Sequence, residues 1–194
     1  MTTPRVAAPR RRRTALVAAV VVAVVLGGLV WILATRQPSQ NRRADSPLVG
    51  SVAPPIEGVA TDGSTFDLDA ARGQWVLVNF FATWCVPCIT EHPELVEFAA
   101  RHGATGDAQV VSVAFDDRPD EVAAFFAEAG GEWPVLVDGT GPIALDYGVS
   151  GVPESYLVAP SGVLATKIVG GVTADGLDRI IADLERQAAG GDAG

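Results

Sequence analysis

Apolar positions along this chain fall into two regimes. Residues 14–34 (TALVAAVVVAVVLGGLVWILA) run for about twenty positions without a charge, enough helix at ~1.5 Å per residue to cross a ~30 Å hydrocarbon core. The pattern predicts one transmembrane anchor. A buried core helix is the alternative reading of such a run, but Arg10–Arg13 before it and Trp31 near its end match a basic anchor and an interfacial aromatic. From residue 56 onward the runs are short and alternate with amphipathic stretches, the mark of a folded domain.

Residues 56–60 and 65–68 flank Asp62-Gly63-Ser64 and predict an N-terminal hairpin. Residues 75–81 (WVLVNFF) are nearly all apolar and suit a central strand covered on both faces. A helical stripe follows over 85–101, with Pro93 inside it and a kink expected there. Residues 109–115 predict a second buried strand, and Asp116 to Asp120 open a helix that reaches about Ala129. A strand over 133–137, a short helix over 142–147, a hairpin of 155–159 with 163–169 and an amphipathic helix over 174–187 complete the order. Strands alternating with helices, then an antiparallel hairpin, give an α/β fold with a mixed central sheet flanked by helices.

Charge divides the chain at the same place as hydropathy. Residues 1–43 hold eight arginines and no acid, whereas 44–194 hold six bases against 23 acids. The arginine bias predicts a single-pass protein of the cytoplasmic membrane, with its N-terminus inside and its domain on the extracytoplasmic side. The stretch exceeds a signal-peptide core, and Ile32-Leu33-Ala34-Thr35 offers no A-x-A-like exit, so the anchor is expected to stay uncleaved. The expected divisions are a basic cytoplasmic segment (1–13), the anchor (14–34), a proline-punctuated linker (35–55), the domain (56–187) and a disordered tail (188–194). So acidic a domain repels phosphate, which excludes nucleic acid as a partner.

Two cysteines in 194 residues cannot build a disulfide scaffold, an iron–sulfur cluster or a four-cysteine zinc site. They can form one redox pair. Cys85 and Cys88, in Trp84-Cys85-Val86-Pro87-Cys88, fall where a central strand hands over to a helix, and unpaired N–H groups on the first helical turn favour a thiolate. That placement makes Cys85 the attacking thiol and Cys88 the resolving one. The competing readings are two structural thiols or half a metal site. His92 and His102 do not complete a zinc-finger spacing and are expected on the surface, and no histidine follows His102 to serve copper.

The cysteine motif with Glu91-His92-Pro93, Tyr147-Gly148-Val149, Gly151-Val152-Pro153-Glu154 and the Ser161-Gly162 turn resembles membrane-anchored thioredoxin-fold thiol:disulfide interchange proteins over about 48–187. The CcmG/DsbE type, within the TlpA/ResA-like family, is the most similar. The resemblance implies a thioredoxin-like fold with a helix–strand insertion near 116–137, a cis peptide bond at Pro153 packed against the cysteines, and Val152 offering backbone hydrogen bonds to a partner segment. It places Asn79 where cytosolic thioredoxins have a buried aspartate, and makes Glu91 an acid near the pair. Glu154 is implied to face the substrate, as opposed to being an ordinary strand-edge charge; Trp84 either packs locally or shields the disulfide. The activity implied is protein-disulfide reduction with no cofactor beyond the Cys85–Cys88 disulfide. The implied partners are the C-x-x-C-H disulfide of apocytochrome c, or its chaperone, and an integral membrane thiol carrier as electron donor. A general extracytoplasmic reductase or oxidant is the alternative within enzymes, and a copper or haem carrier using the same pair the alternative outside them.

Overall fold

The computed structural model describes residues 10–35, 41–139 and 141–191. It separates into two units, 1–38 and 39–194. In the first, α1 (Arg10–Thr35) is one unbroken helix, and its described side chains over 17–31 are exposed. Among the described residues no helix is long and apolar enough to cross a membrane. The stretch 14–34 lies partly outside the described side chains, as does the basic segment 1–13.

The second unit is built on a six-stranded mixed sheet in the order β1 (Arg42–Ala44), β8 (Leu164–Val169), β7 (Glu154–Val158), β4 (Trp75–Phe81), β5 (Ala108–Ala114) and β6 (Val135–Val137). β4, β5 and β6 are parallel, while β7, β8 and β1 join antiparallel. A separate hairpin pairs β2 (Glu57–Val59) with β3 (Thr65–Asp67). The chain is α/β with a thioredoxin-like fold, and α3 (Pro119–Ala129) with β6 supplies the helix–strand insertion.

Every residue of β4 is buried because both faces of the sheet are covered. On one face Trp75, Leu77 and Phe81 pack with Leu95 and Phe98 of α2 (Val86–Gly103), Val122 of α3, and Leu177 and Ile181 of α5 (Ala174–Gly191). On the other, Val76, Val78 and Phe80 meet Phe66 and Leu68 of the hairpin region, Ala144 of α4 (Pro142–Asp146), Tyr147 and Tyr156. A polar rung crosses this apolar sheet, with Asn79 in register with Ser112 on one side and Ser155 on the other. α2 continues through Pro93 to Gly103.

Two expected boundaries are corrected. The linker expected over 35–55 is domain from Asn41 onward: Arg42, Arg43 and Ala44 pair with Val169, Ile168 and Lys167, and Asn41 donates its backbone N–H to the Gly171 carbonyl at 2.8 Å. Backbone pairing at a sheet edge asks nothing of side-chain hydropathy, so a polar composition concealed the strand. Residues 36–40 of that linker lie outside the described residues. The tail expected to fray from Ala188 is helical to Gly191, because α5 simply continues, and 192–194 lie outside the described residues.

Candidate active site

β4 ends at Phe81, and the chain turns through Thr83 and Trp84 into α2, with Cys85 as its N-cap. Cys85 has extended backbone, φ −87° and ψ 102°, and its sulfur accepts from the Cys88 N–H at 3.3 Å, taking up one of the free donors of the first turn. Cys85 and Cys88 are disulfide-bonded with Cα atoms 5.2 Å apart. Both are nearly enclosed, yet the surrounding rim of Trp84, Val86, Pro87 and Ile89 is exposed. That rim is apolar, as a docking surface for a polypeptide would be.

The entrance is fixed from the β5–α3 loop. Asp117 accepts from the Thr83 N–H at 2.6 Å and from its hydroxyl at 3.1 Å. Trp84 donates its indole N–H to the Asp116 carbonyl at 3.0 Å while its ring stays 59% exposed. The residue therefore stays open to solvent on the turn that leads into Cys85. Sequence reasoning passed over Asp116 and Asp117 as helix-start acids.

Across from the cysteines, the Val152–Pro153 peptide bond is cis, and the Val152 carbonyl oxygen lies 3.6 Å from Cys85 Sγ. Pro153 is buried and Val152 is half-buried, so the backbone at Val152 borders the reactive sulfur.

Glu91, one turn beyond Cys88, is buried. Its Oε1 accepts from Asn79 Nδ2 at 3.0 Å and its Oε2 from the Val172 N–H at 2.9 Å. Burial pushes this carboxyl up to about 7, with the Asn79 and Val172 hydrogen bonds pulling the other way. Asn79 also donates to Ser155 Oγ at 3.1 Å. The sheet position at Asn79 thus carries an amide, and the carboxylate comes from α2.

Glu154 is corrected. It does not face the surface: it is 1% exposed and forms a buried ion pair with Lys167 at 2.8 Å. Its Oε1 takes the Ser150 hydroxyl at 2.6 Å and its Oε2 the Tyr156 hydroxyl at 3.2 Å. Lys167 lies thirteen positions away across the β7–β8 hairpin, beyond any local motif.

His92 is also corrected, being buried and not superficial. Its ring sits among Phe125, Phe126 and Trp133 of the insertion, with Nε2 2.9 Å from the Gly130 carbonyl. Burial lowers its pKa against the opposing Gly130 hydrogen bond. His102 is half-buried between Asp107 and Asp178. Burial opposes its charge, but those two hydrogen bonds outweigh it and raise its pKa. Among the described residues no group of three or more His, Cys, Asp or Glu is placed to hold a metal ion.

A disulfide on the first turn of a helix that leaves a central strand, facing the backbone just before a cis proline, defines a thioredoxin-fold dithiol/disulfide protein. Residues 48–181 match the redoxin family, and the chain belongs to it. It is 36% identical over 132 residues to the thiol:disulfide interchange protein HelX of Rhodobacter capsulatus, covering 66% of this chain and 72% of that one. It is 30% identical over 145 residues to thiol:disulfide interchange protein DsbE of Vibrio cholerae, covering 73% and 76% of the two chains. The crystal structure of a putative thiol:disulfide interchange protein DsbE from Chlorobium tepidum superposes with a TM-score of 0.63 at 32% identity, over 70% of this chain and 97% of that one. The protein is a thiol:disulfide oxidoreductase.

Proposed function

We propose that this protein reduces the C-x-x-C-H disulfide of apocytochrome c, or of a chaperone carrying it, on the extracytoplasmic side of the membrane during cytochrome c biogenesis. The observation that carries the reading is the Cys85–Cys88 disulfide at the α2 N-terminus with the Val152 carbonyl 3.6 Å from Cys85 Sγ. The similarity to HelX and DsbE proteins supports it.

In the working direction the reduced pair reacts. The Cys85 thiolate attacks one sulfur of the substrate disulfide, an S–Cys85 bond forms, and the other substrate sulfur leaves as a thiolate. The Cys88 thiolate then attacks Cys85 Sγ, closing the Cys85–Cys88 disulfide and releasing the substrate as a dithiol. Two electrons pass to the substrate, and a membrane thiol carrier returns the pair to its reduced form. Glu91 is the buried acid beside the resolving cysteine, Trp84 and the Val152 backbone meet the substrate segment, and Pro153 shapes the backbone opposite Cys85. The active species is the cysteine pair itself, without a further cofactor.

The same proposal keeps the domain at the membrane through the helix of 14–34, supported by the unbroken α1, by its exposed apolar side chains and by the arginines before it. Deletion of the gene tests the function. Loss of haem-stained c-type cytochromes, restored by the wild-type chain or by an added small thiol but not by Cys85→Ser, is expected; unchanged cytochrome content would overturn the reading. Fractionation tests the location, and a soluble form beginning after Ala34 would overturn the anchor.

A further inference from the structure

Lys167 is the only lysine of the chain, every other base being arginine, and it is buried at 8% exposure in the middle of β8. A lone ammonium in that position is costly unless it is paired and hydrogen-bonded. Its Nζ meets Glu154 Oε2 at 2.8 Å, donates to the Gly148 carbonyl at 3.2 Å and stands 5.3 Å from the Tyr156 ring centre.

These contacts converge on one short segment. Gly148, in the left-handed region at φ 64° where glycine is favoured, begins the loop that runs to Pro153. Tyr147 at its start is held through its carbonyl by the Tyr156 hydroxyl at 2.8 Å. Gly148 is held by Lys167, and Ser150 by Glu154 through its hydroxyl at 2.6 Å and its N–H at 3.3 Å. Two residues later comes Val152, whose carbonyl borders Cys85 Sγ. Glu154 and Ser155 follow the proline on opposite faces of β7: Ser155 joins Asn79 and Glu91, while Glu154 joins Lys167. The loop that carries Val152 is therefore fastened from beneath by groups standing on β7 and β8.

We propose that Lys167 is a positioning residue for the exchange reaction, holding the 148–153 loop, through Gly148 and the Glu154 carboxylate, in the shape that presents the Val152 backbone to a polypeptide substrate. The proposal rests on the thiol:disulfide reading of the site. Lys167 touches neither sulfur, so it acts on docking and not on the intrinsic reactivity of Cys85. A protein substrate must lie along the loop, whereas a small disulfide reaches the sulfur without it.

The test compares two substrates, an oxidised C-x-x-C-H protein and 2-hydroxyethyl disulfide, for the wild type, Lys167→Met, Lys167→Arg and Ser150→Ala. For Lys167→Met, KM for the protein substrate is expected to rise about tenfold or more with kcat little changed, and the rate with the small disulfide to stay within about twofold. Lys167→Arg should recover part of the loss. Ser150→Ala removes a loop attachment without stranding a buried charge, and should shift the protein KM in the same direction by less. If Lys167→Met does not fold, Ser150→Ala decides. The proposal is overturned if protein and small-disulfide rates fall together, or if neither moves in a folded variant. Failure of the wild type to reduce either substrate would instead overturn the functional reading beneath it.

Discussion

The side-chain amide of Asn79 donates to the carboxylate of Glu91 at 3.0 Å inside the protein, joining the central strand to the cysteine helix. Two donors, Asn79 Nδ2 and the Val172 N–H, serve this carboxylate, and burial still outweighs them and raises its pKa to about 7. A buried carboxylate on the turn after Cys88 opposes further negative charge there.

That relationship sets a pH dependence of stability. Below pH 4.5 the folded and unfolded chains both hold the Glu91 proton, and its favourable contribution is complete; between 4.5 and about 7 only the folded chain holds it. Stability therefore falls as pH rises through this window, by on the order of 3 kcal/mol, and levels off above it. The raised His102 adds loss in the same direction and the lowered His92 opposes it. The wild type and Glu91→Gln are accordingly compared by urea denaturation at each pH: the difference between them should move in favour of Gln from pH 4.5 to about 7 and then level off. A difference that stays flat would mean that Glu91 does not titrate there.

Asp117 makes a second prediction. Its carboxylate takes both the N–H and the hydroxyl of Thr83, so Asp117→Ala leaves a part-buried amide without its acceptor. A destabilisation of about 1–2 kcal/mol in urea denaturation is expected. A slower reaction with protein disulfides should accompany it, since the turn that carries Trp84 loosens.

The direction of electron flow is a third. A dithiol becomes a strong oxidant when its thiolate is heavily stabilised. Here the α2 N-terminus helps, but Val86 and Pro87 put no cation between the cysteines, and Glu91 with the acid-rich domain works against another negative charge. Equilibration with dithiothreitol should give a potential nearer the ~−270 mV of thioredoxin than the ~−120 mV of a strong oxidant. Glu91→Gln should raise it, by about 30 mV at pH 8, where the wild-type acid is charged. A wild-type value above about −180 mV would mark an oxidant.

Much of this site could be read locally. The run 75–81 is the central strand residue for residue, and its handover to the cysteine motif puts Cys85 at the N-cap. The residues of 149–153 mark only a tight glycine-bearing segment; the cis bond before Pro153 is implied by the family resemblance and not by the local pattern. What escaped depends on partners distant in sequence. His92 is buried because Phe125, Phe126 and Trp133 close over it from the insertion, and a helix pattern cannot show what another helix covers. Glu154 turns inward because Lys167 is waiting on β8; in a run of apolar residues that lone lysine was the available signal. Arg42-Arg43-Ala44 forms a strand by pairing its backbone with β8, with Arg43 also donating to Thr166, and hydropathy registers neither contact.

The measurement that bears most directly on the account is covalent capture of an oxidised C-x-x-C-H substrate by single-cysteine variants. Cys88→Ser keeps the attacking thiol and removes the resolving one, so a mixed disulfide through Cys85 should accumulate and be mapped to that residue by mass spectrometry, while Cys85→Ser captures little. Capture by Cys85→Ser through Cys88, or by neither variant, would contradict it.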